Sequence, residues 1–174
     1  LRLMGARISS TEAGTAPLLI EPSDGLHGIA YTCPVASAQI KSCVLLAGLY
    51  ASGETAVTEP AATRDYTERM LAALGADVSV DGLTVRLLPG RELKAQPIAV
   101  PGDFSSAAFF LVAGAIARSG ELVIGNVGLN PRRTGLLDTL RDMGADIEIL
   151  DRRDIAGEPV GDLRVRPSSL RAVE

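Results

Sequence analysis

Apolar and amphipathic runs alternate along this chain, and the alternation repeats. Residues 37–51 (SAQIKSCVLLAGLYA) and 104–117 (FSSAAFFLVAGAIA) carry almost no polar stripe, so each predicts a helix buried on all sides. A glycine follows each run, Gly53 or Gly120, and predicts where the helix ends. Short runs ETAVTE (54–59) and ELVIGNV (121–127) come next and predict strands. Each half then has an amphipathic helix. Met70, Leu71 and Leu74 share one face of the first, and Leu136, Leu137, Leu140 and Met143 one face of the second. Strand signals DVSV (77–80) and LTVRLL (83–88) close the first unit.

Three segments share a signature: LRLMGARI (1–8), MLAALGADVSV (70–80) and LRDMGADIEIL (140–150). Their glycines, Gly5, Gly75 and Gly144, stand 70 and 69 residues apart. Pro34 and Pro101 each precede a small, Ser-bearing helix start, and Gly53 and Gly120 follow them by 19 residues, each with a Glu next. Marks kept in one register predict a structural unit of about 70 residues. Its order is helix, strand, helix, strand, strand, cyclically βαβαββ. The chain starts at the tail of one unit and stops inside another, without an initiator Met, so it reads as an internal piece of a longer protein. LKAQPIAVPGD (93–103), with two prolines and a glycine, is the candidate domain crossing, an ordinary interstrand loop being the alternative.

Composition narrows the function classes. The 174 residues are 47% hydrophobic, enough for one sizeable core or two small ones. Aromatics are only 3%, with no Trp, so the packing is Ala, Val, Leu and Ile. A net charge of -4 with scattered Lys and Arg gives no nucleic-acid or membrane-surface footprint. No apolar run reaches bilayer length, and no signal sequence opens the chain. Cys33 and Cys43 are too few for a disulfide scaffold and lack metal spacing, which fits a reduced, cytoplasmic protein.

The first apolar helix opens on Ser37, Gln39, Lys41 and Ser42. A helix N-terminus has free amides and a partial positive charge, which suit an anion. Ser37 can cap those amides or donate to a phosphate oxygen, and Gln39 can donate or accept. A plain N-cap serine and a solvent-facing glutamine explain the same residues. PAATRDYTERML (60–71) adds to the picture, because Asp65 and Glu68 have the spacing of a capping box. Arg64 then precedes a helix N-terminus, the wrong end of the dipole for a cation. Either a protein carboxylate such as Glu59 holds it, or a ligand phosphate does.

PVASAQIKSCVLLAGLYASGETAVTEPAATRDYTERML (34–71), VPGDFSSAAFFLVAGAI (100–116) and NPRRTGLLDTLRDMGADI (130–147) closely resemble the 5-enolpyruvylshikimate-3-phosphate synthase family. The combination of S-A-Q-x-K-S, T-R-D-x-T-E and G-D-x-S-S-A-A is more specific than any one of them. The resemblance implies an α/β (α+β) fold, the enolpyruvyl transferase inverted α/β barrel. In it repeated βαβαββ units set helices inside and sheets outside. It implies that residues 1–100 finish the N-terminal domain and residues 101–174 begin the returning part of the C-terminal one, both incomplete. The implied reaction moves the enolpyruvyl group of phosphoenolpyruvate to the 5-hydroxyl of shikimate 3-phosphate. It is an addition–elimination with no metal or organic cofactor, run by a monomeric complete enzyme in aromatic amino-acid biosynthesis.

Carried over by position, Ser37, Ala38, Gln39 and Arg64 match shikimate 3-phosphate ligands, and Gln39 also touches phosphoenolpyruvate. Ala38 paired with Arg64 resembles the bacterial branch called class II. The catalytic acid–base groups fall outside the segment. Asp103 is explained as an N-cap of the second apolar helix, and Lys41 as a surface residue. Arg132 and Arg133 are not carried over, His27 reads as a loop residue, and Cys33 as a small buried thiol. Two other readings stand beside this one: a fragment of the sibling UDP-N-acetylglucosamine enolpyruvyl transferase, and a non-catalytic repeat scaffold. The motifs SAQIKS and TRDYTE argue against the sibling.

Overall fold

The structure is a computed structural model that describes residues 1–173. They group into two compact units, one from Leu1 to Ala95 and one beginning at Gln96.

The first unit opens with a 3-10 turn, Arg2–Met4. Strands β1 (Arg7–Ser9), β2 (Leu19–Glu21), β3 (Leu26–His27) and β4 (Ala30–Thr32) follow, then helix α1 (Ala38–Gly48) and strands β5 (Ala51–Ser52) and β6 (Thr55–Thr58). Helix α2 (Tyr66–Ala73) and strands β7 (Asp77–Asp81) and β8 (Thr84–Leu88) complete it. The main sheet has the order β4-β6-β8-β7. β4 runs parallel to β6 with Tyr31 opposite Val57, and the other two pairings are antiparallel. Alternation along β8 sends Val85 and Leu87 inward, against Leu45, Val57 and Leu71.

The second unit contains α3 (Phe104–Ala115), β9 (Leu122–Gly128), α4 (Gly135–Asp142), β10 (Asp146–Ile155) and β11 (Glu158–Arg166). Its antiparallel sheet has the order β10-β11-β9. That is the order β7-β8-β6 of the first unit. The match extends one strand further, because Gly102 forms a parallel bridge to Val127 in β9, where β4 pairs parallel with β6. The internal repeat read from the sequence is therefore a structural repeat.

The signature glycines show why it persists. Gly75 and Gly144 have φ of 90° and 95°, a region that glycine enters without strain. Both end helices by the same double bond: Gly75 N–H to Ala72 and Ala76 N–H to Leu71 in one, Gly144 N–H to Arg141 and Ala145 N–H to Leu140 in the other. Gly5, with φ 96°, closes the 3-10 turn in the same way on Arg2 and Leu1.

Gly53 and Gly120 do not end helices. α1 stops at Gly48, whose missing Cβ would sit 2.8 Å from Thr55 Oγ1, so the backbone there lies directly on the sheet. The chain then forms β5, and Gly53 (φ 90°) turns it into β6. The helices are also not buried all round. Val44, Leu45 and Leu111 are covered, yet Phe109 of α3 is 79% exposed, and Phe110 and Leu46 are exposed too. His27 lies in β3, paired with Ser52, rather than in a loop. Among the described residues no helix is long and apolar enough to cross a membrane.

Candidate functional site

Ser37 marks the start of α1, with extended backbone (φ -144°, ψ 109°) and an Oγ that accepts the Ile40 amide at 3.4 Å. One of the orphan amides of the first turn is thereby satisfied, and the others keep that end of the helix electropositive. The Ser37 hydroxyl also lies 3.5 Å from Gln39 Oε1. Gln39 is exposed, two positions into the helix.

Arg64 reaches the same place from the other side. After β6 the Glu59 amide bonds to the Leu83 carbonyl at 3.0 Å, and the chain runs through Pro60 to the start of α2. Ala38, Gln39 and Ser42 of α1 then line one pocket of about 430 Å³ with Arg64, Tyr66 and Thr67. A 2.6 Å hydrogen bond between the Ser42 and Thr67 hydroxyls ties the two helices together beside it. Three of the four residues expected as ligands, Ala38, Gln39 and Arg64, thus line one pocket. Ser37 caps the same helix but does not line the pocket. Gln39 and Cys43 also border a second hollow of about 450 Å³, whose walls include Leu1, Ile29 and Val44.

Glu59 is not the partner of Arg64. Its carboxylate accepts from the Thr63 hydroxyl and lies 2.7 Å from Lys41 Nζ. Arg64 is half-buried, and no hydrogen bond or ion pair joins it to the described residues. A cation at a helix start costs on the order of 0.3–1 kcal/mol unless an anion answers it. The site therefore holds a planar, bidentate donor with its hydrogen-bonding capacity unspent.

Lys41 is a correction to the sequence reading. It is 1% exposed, with Nζ 2.7 Å from both Glu59 Oε2 and Glu68 Oε1. On α1 the exposed positions are Gln39, Cys43 and Leu46, whereas Lys41 falls on the covered face with Val44, Leu45 and Gly48, where its charge is tolerated because paired carboxylates meet it. Two glutamates flanking TRDYT, opposite a lone lysine in an apolar run, were the signal available for it. The capping box fails for the same reason. Glu68 is committed to Lys41, and Asp65 makes no capping hydrogen bond at its N-cap position but pairs with Arg69 at 2.8 Å.

In the second unit, Asp103 occupies the N-cap position of α3 without a capping hydrogen bond from its side chain. Its carboxyl is nevertheless held below its ordinary value, first by the Ser105 backbone amide and then by the Arg133 guanidinium. Arg133 Nη2 lies 3.0 Å from Asp103 Oδ1 and also bonds Ser105 Oγ. Asp103 and Arg133 thus satisfy one another across the mouth of the second apolar helix.

The family model for EPSP synthase (3-phosphoshikimate 1-carboxyvinyltransferase) matches residues 1–174. The chain belongs to the EPSP synthase family. It is 58% identical over 173 residues to the 3-phosphoshikimate 1-carboxyvinyltransferase of Methylococcus capsulatus, covering 99% of this chain and 40% of that relative. The enzyme of the same name from Xanthomonas oryzae pv. oryzae is 57% identical over 174 residues, covering 100% and 40%. A solved EPSP synthase from Acinetobacter baumannii superposes with a TM-score of 0.93 at 49% identity, over 99% of this chain and 39% of that one. The chain thus spans about 40% of the length of the curated EPSP synthases it matches. It shares the α/β fold of that family, and neither the sibling transferase nor a repeat scaffold is needed to explain it.

Proposed function

We propose that the protein carrying this segment transfers the enolpyruvyl group of phosphoenolpyruvate to the 5-hydroxyl of shikimate 3-phosphate, and that this segment holds the 3-phosphate. Family membership supports the reaction class, and the unpaired Arg64 carries the assignment of the site. A phosphate in the pocket would meet that guanidinium, the N-terminal amides of α1 and the Ser37 hydroxyl. Ala38 would contribute backbone only. Gln39, on the ridge between two hollows, would reach both substrates. On this reading C3 of phosphoenolpyruvate gains a proton as the 5-hydroxyl, losing its own, attacks C2, and the tetrahedral intermediate then loses phosphate and a C3 proton to restore the double bond. Preorganised donors would hold both anions through these steps. The groups that move protons lie outside the segment. No cofactor is needed, and the complete enzyme is a cytoplasmic monomer.

The two compact units fit two domains, residues 1–100 ending the N-terminal one and residues 101–174 beginning the rest of the C-terminal one. The break between the units at Ala95 lies just ahead of that boundary.

The test is Arg64→Ala in the complete enzyme. It should weaken shikimate 3-phosphate binding by about 2–5 kcal/mol, the range for breaking one desolvated charge pair. Unphosphorylated shikimate should lose much less. Equal losses for the two ligands in titration calorimetry would remove Arg64 from the phosphate site.

A further inference from the structure

Lys41, Glu59 and Glu68 form a buried charge cluster that the proposed reaction does not use. The three side chains are 1%, 3% and 6% exposed, and one ammonium lies 2.7 Å from each of two carboxylates. Glu59 leads into the segment that carries Arg64, and Glu68 sits in the first turn of α2 just beyond it. The neighbours of Arg64 are also tied down, Thr63 to Glu59 and Asp65 to Arg69. The guanidinium of Arg64, by contrast, has no hydrogen bond or ion pair among the described residues. Lys41 itself stands two positions after Gln39 on α1. That separation turns the two side chains about 200° apart, so one faces the pocket while the other faces the interior.

We infer that Lys41 is a positioning residue, a single ammonium that clamps both ends of segment 59–68 to α1 and thereby sets Arg64 against Gln39. The inference rests on the reading of Arg64 as the phosphate ligand. Its physical basis is that Glu68 has no other polar support. Glu68 Oε2 is buried with no hydrogen-bond partner among the described residues, and Oε1 meets only Lys41. Releasing that contact leaves the Ser42–Thr67 hydrogen bond as the polar tie between α1 and the start of α2, and so loosens the backbone that carries Arg64. A buried ion cluster of this kind adds little to stability compared with apolar residues of the same size, but it fixes a unique geometry.

The geometry allows a test that separates positioning from folding. Glu68→Met leaves a balanced Lys41–Glu59 pair, and Glu59→Met leaves a balanced Lys41–Glu68 pair. Each cuts one end of the clamp without stranding a buried charge. In the complete enzyme both variants should keep or raise the melting temperature. The KM for shikimate 3-phosphate should rise between about ten- and a hundred-fold, the cost of roughly an ångström of misplacement. The KM for phosphoenolpyruvate should change far less, because Arg64 does not serve it. In an Arg64→Ala background the same substitutions should have little further effect, since the side chain they misplace is gone.

Unchanged discrimination between shikimate 3-phosphate and shikimate in both variants overturns the clamp. So does full additivity with Arg64→Ala, or collapse of the fold in both variants, which would assign the cluster to folding alone. If Arg64→Ala by itself leaves shikimate 3-phosphate binding intact, the phosphate site falls, and the functional role of the clamp with it. If Arg64→Ala costs affinity and the glutamate variants do not, the clamp alone falls.

Discussion

At the scale of single residues, two cysteines of the first unit differ in exposure. Cys43 is exposed and lines the pocket with Gln39 and Arg64, whereas Cys33 is 2% exposed. Burial pushes the Cys33 thiol up, and the Glu59 carboxylate adds to this while Lys41 opposes it. The thiolate is the reactive form, so Cys33 should resist alkylation on both counts, access and ionisation. Peptide mapping of the complete enzyme after iodoacetamide at mildly alkaline pH should find Cys43 modified and Cys33 spared until denaturant is added. Shikimate 3-phosphate should slow the reaction of Cys43. A Cys43 rate indifferent to that ligand would count against the pocket as its site. Much of this was legible beforehand: Ser37, Gln39 and Arg64 stood out as polar residues at helix starts, and Cys33 as a buried thiol. Lys41 did not, because a lysine considered alone belongs at the surface. Only the distant pairing with Glu59 and Glu68 makes its burial possible.

At the scale of elements, the sequence period located both helix types and the strands between them, and it missed where α1 stops. The reason is long-range contact rather than propensity: Ala51 and Ser52 pair with Leu26 and His27 instead of continuing the helix, and Gly48 lets its last turn lie on the sheet. On propensity alone Gly48→Ala would favour the helix by about 1 kcal/mol. The new Cβ would instead lie 2.8 Å from Thr55 Oγ1, 2.9 Å from Thr55 Cβ and 3.1 Å from Leu87 Cδ2. Thr55 and Leu87 are both 0% exposed, so neither can swing into solvent. Overpacking of this kind costs about 1–3 kcal/mol. Gly48→Ala should therefore lower the urea midpoint of the complete enzyme, with an unchanged slope. A raised midpoint would mean that α1 can lift off the sheet freely. Long-range approach of this sort leaves no local mark in a sequence, whereas Gly75 and Gly144 do, because their left-handed backbone is required by the helix end itself.

At the scale of the whole molecule, the exposed apolar faces decide how the 174 residues behave by themselves. Phe109 and Ile116 of the second unit are 79% and 67% exposed, and Tyr50 of the first is 82% exposed. In the second unit Phe109, Val112 and Ile116, spaced three and four apart along α3 and its end, expose one apolar helix face, which marks it as a face that packs against something else. The matching relatives are two and a half times as long, since this chain covers 40% of them, so partner surface for those faces is available in their remaining length. Expressed alone, the 174 residues should self-associate, which sedimentation would show as a mass that rises with concentration. They should also be inactive. Transfer of an enolpyruvyl group needs acid–base groups and a water-poor site closed over both substrates, and the segment supplies only the pocket proposed for the 3-phosphate. The residues proposed for it, with the Lys41–Glu59–Glu68 cluster, all lie within the first unit. Weak shikimate 3-phosphate binding should survive, with Kd no tighter than about 1 mM, or about -4 kcal/mol. The measurement is phosphate release from the isolated segment with both substrates, in a preparation free of host enzyme. Turnover above background would place the proton-transfer groups inside these residues, and Asp103, with its carboxyl held ionised by Ser105 and Arg133, would be the first to examine.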